Sequence, residues 1–141
     1  MIHDIMVAQN TKVSVVMPAY NQGHLISNAI NSILNQTIEN WELIIVDDGS
    51  EDHTSQKVRE FGDPRIKYFR TEHEGLVHAR NYGNERAQTD VIAIQDADDL
   101  SMPDRLEKCL REIESGADVV YHGAYINMWN KEHSCIGRKY I

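Results

Sequence analysis

The sequence predicts an α/β fold with a mostly parallel, doubly wound sheet flanked by helices, and three observations carry that expectation. Runs rich in valine and isoleucine recur without polar alternation, as strands buried on both faces do. Between them lie segments with apolar residues at helical spacing, in the order β, α, β, α, β, α, β, α, β with short loops. Carboxylates gather after two of those runs, in Asp47-Asp48 and in Asp96-Ala97-Asp98-Asp99, where open α/β sheets place their ligands.

Lys12 to Met17 is β-branched and apolar, and it stops at Pro18-Ala19-Tyr20-Asn21-Gln22-Gly23, a loop at a strand's carboxyl edge. Leu25, Ile26, Ala29, Ile30, Ile33 and Leu34 then predict an amphipathic helix from about His24 to Asn35. Trp41 to Val46 is a second buried strand, after which Asp47-Asp48-Gly49-Ser50 allows a sharp turn and supplies capping groups. A simple helix cap explains either aspartate taken alone equally well. The following helix contains Val58 and Phe61, Gly62-Asp63-Pro64 closes it, and Arg65 to Phe69 reads as a third, more exposed strand.

Glu72 to Gly83 begins as a polar loop and enters a helix running to about Ala87. Ala79, Gly83 and Ala87 form a stripe of small residues that would let this helix lie close against the sheet. Arg80 could aim its guanidinium at a carboxylate or a diphosphate, and a salt bridge to an acidic strand end is a compatible alternative. His73 and His78 lack a helical metal-ligand spacing and read as surface or packing residues.

Val91 to Ile94 reads as a strand buried on both faces. The carboxylates that follow repel one another and lose hydration in a closed cleft, so they favour a divalent cation held by hard oxygen ligands. A solvated acidic turn is the plainer alternative for Asp-x-Asp taken alone. Ser101-Met102-Pro103-Asp104 is a helix-start signal with a capping hydroxyl, Leu106, Cys109, Leu110 and Ile113 form the buried face, and Gly116 ends the helix. Asp118 to Tyr121 reads as a further short strand and Ala124 to Trp129 as another. A strand order of 3-2-1-4 would gather Pro18 to Asn21, Asp47 and Asp48, and Asp96 to Asp99 around one crevice.

At 141 residues, 41% hydrophobic and 26% charged, the chain is expected to form one domain over residues 1–141. No apolar run approaches the roughly 20 residues that span a bilayer, and Met1 to Asn10 lacks a signal peptide's basic start and apolar core. A cytoplasmic chain is the expectation. The formal net charge of −8 argues against nucleic acid as a partner, since counterion displacement needs clustered Lys and Arg. Cys109 and Cys135 match neither a disulfide framework nor a zinc spacing.

The ordered set of Val13-Ser14-Val15-Val16-Met17-Pro18-Ala19-Tyr20-Asn21, Ile45-Val46-Asp47-Asp48-Gly49-Ser50, Ala79-Arg80-Asn81 and Gln95-Asp96-Ala97-Asp98-Asp99 resembles the family 2 glycosyltransferases with a GT-A fold. The resemblance covers about Lys12 to Tyr121. It implies transfer of a sugar from a nucleotide diphosphate donor, expected to be a UDP-sugar, to an acceptor hydroxyl with inversion, as in polysaccharide biosynthesis. It further implies that Pro18 and Tyr20 line the nucleotide pocket and that Asp48 accepts hydrogen bonds from the base, with Asp47 beside it. Asp96 would lie near the ribose and, with Asp98, hold Mg²⁺ or Mn²⁺ bridged to the diphosphate, with Arg80 close to the phosphates or to these carboxylates. Such a dication would stabilise the charge that develops on the leaving nucleoside diphosphate.

Members of that family run on past the point where this chain stops, and there supply the acceptor site and the general base that inversion needs. Nothing around Glu132 resembles a catalytic acid motif. The expectation is therefore the donor-binding part of a longer enzyme, folded but inactive alone, with its base beyond Ile141. The full-length protein would act on a saccharide, lipid-linked or other acceptor, in the cytoplasm or at the inner face of the membrane. A nucleotidyltransferase would carry a Gly- and Arg-rich loop after the first strand, and a phosphate-accepting receiver domain a suitably placed lysine after the last; the sequence shows neither. A non-catalytic nucleotide-sugar-binding module is the alternative, and Trp129 and Tyr140 would offer apolar surface for self-association.

Overall fold

The computed structural model describes residues 12–123, together with the backbone of 125–129 and 135–140. The side chains of Trp129, Cys135 and Tyr140, and the whole of Glu132, lie outside the described residues. The chain divides into two compact units, Met1–Arg111 and Glu112–Ile141.

In the first unit, β1 (Val13–Ala19), β2 (Trp41–Asp47), β3 (Ile66–Arg70) and β4 (Ile92–Ile94) form a parallel sheet in the order β3-β2-β1-β4. This is the expected order. Every residue of β1 and β2 is buried, the polar Ser14, Glu42 and Asp47 included, and their register pairs Val13 with Trp41 and Ala19 with Asp47. Helices α1 (Ile26–Leu34), α2 (Thr54–Arg59) and α3 (Leu76–Asn84) connect the strands, and α4 (Arg105–Glu114) follows β4.

Strand alternation divides the core between the two faces of the sheet. Val15, Met17, Leu43 and Ile45 join Ile26, Ile30 and Ile33 of α1 and Leu106 and Leu110 of α4. Ile44 and Val46 turn the other way, onto Ala79 of α3, with Phe69 and Tyr82 against them. A Cβ built on Gly83 would lie 2.5 Å from Val16 Cγ1 and 3.3 Å from Val46 Cγ2, so α3 rests on the sheet at a distance only glycine allows. Ala87 lies beyond the end of α3 but packs against the same cluster.

Several local expectations are corrected. β4 is three residues long, with Ile92 40% and Ile94 38% exposed, because it is the outermost strand of its sheet among the described residues and only its other face, with Ala93, packs on the core. Ser101 does not cap α4, which starts at Arg105. Gln36 does so from α1's carboxyl end: its Oε1 accepts from Leu106 N at 2.9 Å, while its Nε2 donates to Ser32 O and Met102 O. Asp118 to Tyr121 forms no strand, and Val119 and Tyr121 stand exposed, so no apolar burial holds the segment extended. In the second unit the expected strand at Tyr125–Trp129 (β5) does form. It pairs antiparallel with β6 (Cys135–Tyr140), from Tyr125 opposite Tyr140, and not within the parallel sheet.

Candidate functional site

The carboxyl ends of β1, β2 and β4 open onto one cavity of about 350 Å³. Pro18, Tyr20, Asp48, Asp96 and Asp98 all line it, so residues up to 80 positions apart in the chain meet in one hollow. Gln22, His73, Gly75 and Leu76 complete much of its wall.

The loops after β1 and β2 are zipped together. Asn21 N donates to Ser50 Oγ and Gln22 N to Thr54 Oγ1, both at 2.9 Å, while Asn21 Oδ1 accepts from Glu51 N at 2.8 Å. Asp48 N continues the ladder to Ala19 O at 2.8 Å. Tyr20 is thereby held at the rim, 41% exposed.

The two adjacent aspartates face different ways. Asp47 is fully buried and is not among the residues lining the cavity; it accepts from Ser50 N at 2.8 Å, Tyr68 Oη at 2.5 Å and Arg70 Nη1 at 3.3 Å. Asp48 lines the cavity and holds the opposite loop. Its Oδ1 accepts from Thr71 Oγ1 at 2.9 Å and Glu74 N at 2.8 Å, and its Oδ2 from Gly75 N at 2.8 Å, at the start of α3. Burial alone would raise the Asp48 carboxyl, but these hydrogen bonds, with His73 close by, bring it below its ordinary value.

His73, read from the sequence as a surface residue, belongs to the site. Its ring stacks on Tyr20 with 4.0 Å between centroids, and its Nδ1 lies 3.1 Å from Asp48 O. The backbone there is left-handed, with φ 42°. A Cβ on Gly49, itself at φ 77°, would come within 2.9 Å of His73 N, so that glycine makes the approach of the two loops possible. Its contacts, with Tyr20 and Asp48, come from distant parts of the chain, so no local signal marked it, and its spacing from His78 pointed away from a site.

On the β4 side, Arg80 Nη2 donates to Asp96 Oδ1 at 2.8 Å, while Arg80 Nε is buried without a partner. Asp98 is exposed in the cavity wall. Asp99 is raised above the ordinary carboxylate value, first by burial and then by the charges of Asp98 and Asp96, with Arg105 opposing. Among the described residues no three His, Cys, Asp or Glu side chains converge as a ready cage for a metal. Asp96 and Asp98 nevertheless fit a hard dication: they bring two oxygen donors and mutually repelling charge to one cavity, and oxygens of a bound ligand would have to complete the shell. No helix among the described residues is long and apolar enough to cross a membrane.

The model of Glycosyl transferase family 2 matches residues 14–134. The Escherichia coli protein named UDP-Glc:alpha-D-GlcNAc-diphosphoundecaprenol beta-1,3-glucosyltransferase WfgD is 46% identical over 96 residues, covering 67% of this chain and 38% of the relative. Among solved structures, Staphylococcus aureus TarS 1-349 in complex with UDP-GlcNAc superposes with a TM-score of 0.70 at 27% identity, over 74% of this chain and 32% of that one. The mannosyltransferase PcManGT of Pyrobaculum calidifontis, in complex with GDP-Man and Mn²⁺, gives a TM-score of 0.66 at 27% identity, over 79% and 34%. The chain thus spans well under half the length of each of these proteins.

Proposed function

The chain belongs to glycosyl transferase family 2 and has the GT-A fold, and from that premise we propose that the cavity is the donor site of an inverting, metal-dependent enzyme using a UDP-sugar. One observation carries the reading: Tyr20, Asp48, Asp96 and Asp98, drawn from three strand ends, line the same hollow.

Each side chain has a separate duty in it. Tyr20, in its stack with His73, offers a ring face to the base, and Asp48 Oδ2 retains a lone pair beyond the one that Gly75 N takes. Pro18 walls the pocket, and Asp47 acts from behind by fixing the end of β2. Asp96, steadied by Arg80, faces the ribose, and Asp98 with Asp96 holds Mg²⁺ or Mn²⁺ against the diphosphate. The bound cation supplies charge neutralisation for the departing nucleoside diphosphate. Arg80 keeps its Nε free of protein partners at that side and adds fixed positive charge near the phosphates.

The choice of UDP draws support from the names of the E. coli relative and of the TarS complex, while the GDP-Man complex makes the base a matter for experiment. A lipid-linked acceptor, and a position at the inner membrane face, follow the diphosphoundecaprenol substrate in the relative's name. Every carboxylate of the cavity has a binding duty in this scheme, so the general base and the acceptor site come from outside it, and the chain alone binds donor without transferring sugar. Titration calorimetry with UDP, with and without Mn²⁺, tests the core of this: metal-enhanced binding is expected, and UDP binding indifferent to Mn²⁺ would overturn the metal-dependent reading. A transfer assay on the 141-residue chain then tests whether it is inactive alone.

A further inference from the structure

Gln95 follows β4 and is buried, with 4% of its surface exposed. A polar side chain is stable there only if its hydrogen bonds are made, and all of them are. Its Nε2 donates to Asp96 O at 3.0 Å and to Asp99 O at 2.9 Å, and its Oε1 accepts from Ser101 Oγ at 2.5 Å and from Arg105 Nη1 at 2.8 Å. Arg105 also reaches Ser101 Oγ at 2.8 Å and, through Nη2, Ile94 O at 2.7 Å. One amide therefore joins the first and last residues of the acidic turn, and one guanidinium ties that amide back to the strand.

The turn needs such a brace. Three carboxylates within Asp96 to Asp99 carry like charge and repel one another. Asp98 takes no part in the Gln95 bonds, so the direction of its side chain depends on the backbone they hold. Gln95 restrains that backbone with neutral donors that add no charge to the site.

We propose that Gln95, backed by Arg105, is a positioning residue for the cation: it presets the Asp96–Asp99 backbone so that the Asp96 and Asp98 carboxylates meet the ion without reordering the turn. The inference rests on the donor-site reading. Groups that orient metal ligands without touching the metal contribute about 10- to 100-fold to affinity.

The experiment is a calorimetric titration of Mn²⁺ into the chain saturated with UDP, beside a titration of UDP in EDTA. Gln95→Met keeps the volume and removes all four bonds; its Mn²⁺ affinity should fall about 10- to 100-fold, with the EDTA affinity for UDP unchanged. Gln95→Glu keeps acceptors for Ser101 and Arg105, which preserves the fold, but loses both donors to the turn. If Gln95 acted only through local charge, the added carboxylate would tighten Mn²⁺ binding; as a positioning residue its loss weakens it. Unchanged or tighter Mn²⁺ binding by Gln95→Glu overturns the proposal, whether or not Gln95→Met folds. A wild-type chain that binds UDP with no response to Mn²⁺ sinks the donor-site reading itself, which is a different result from a variant that matches a responsive wild type.

Discussion

The Tyr20 ring and the His73 imidazole lie 4.0 Å apart at their centroids with 22° between their planes, so two loops from different strand ends make a single aromatic surface at the cavity rim. Stacking of a base on an aromatic side chain is worth about 1–3 kcal/mol. Tyr20→Ala is expected to weaken UDP binding by about tenfold or more, by calorimetry, with little change in Tm because Tyr20 is 41% exposed. Uridine monophosphate should lose the same factor as UDP, since the missing contact is to the base.

Asp48→Asn replaces an acceptor with an amide that cannot satisfy the Thr71, Glu74 and Gly75 donors together. Leaving one buried donor unpaired costs about 1–3 kcal/mol, which thermal unfolding at neutral pH should report as a lower Tm. The sign of the pH dependence follows from the depressed carboxyl. Its stabilisation is fully present above its ordinary value of 3.8 and is lost as pH falls through the lower folded value, so the Tm gap between wild type and variant should close below about pH 3.8.

Gly83→Ala sets helix propensity against space. Alanine favours the helix by about 1 kcal/mol, yet its methyl would sit 2.5 Å from Val16 Cγ1 in a closed layer, and such overpacking costs about 1–3 kcal/mol. A net fall in Tm is expected, and a rise would show that α3 can lift off the sheet.

Asp98→Asn should remove the Mn²⁺ enhancement of UDP binding while leaving Tm unchanged, since Asp98 is exposed and makes none of the bonds that hold its turn. Asp96→Asn weakens the pair with Arg80, in which both side chains are more than a third exposed, so its effect on stability should also be small. A loss of metal response in Asp96→Asn but not in Asp98→Asn would reverse the roles given to the two.

The strand order, the convergence of the three strand ends and the close seat of α3 were legible because each rests on local pattern: valine- and isoleucine-rich runs, acids after strands, small residues at helical spacing. What the sequence hid depends on distant partners. Asp47 and Asp48 look equivalent in line, but strand alternation puts Asp47 on the same face as Ile45, toward Tyr68, and turns the Asp48 side chain, one residue past the end of β2, to the next loop. Ser101 carries a capping signal, yet Gln36 takes that duty from 70 positions away and Ser101 turns to Gln95. The exposure of β4 reflects its place at the margin of the sheet among the described residues, which composition does not encode.

With no room for a methyl group between α3 and β1, the segment that carries Ala79 and Arg80 has no slack toward the sheet when the hollow fills. That flank works as the fixed arm of a calliper. Accommodation to guests of different bulk falls to residues 71–75, held by the Asp48 carboxylate, the Asp47 and Asp48 carbonyls and the stack of His73 on Tyr20, and a survey of guest size should find its motion there.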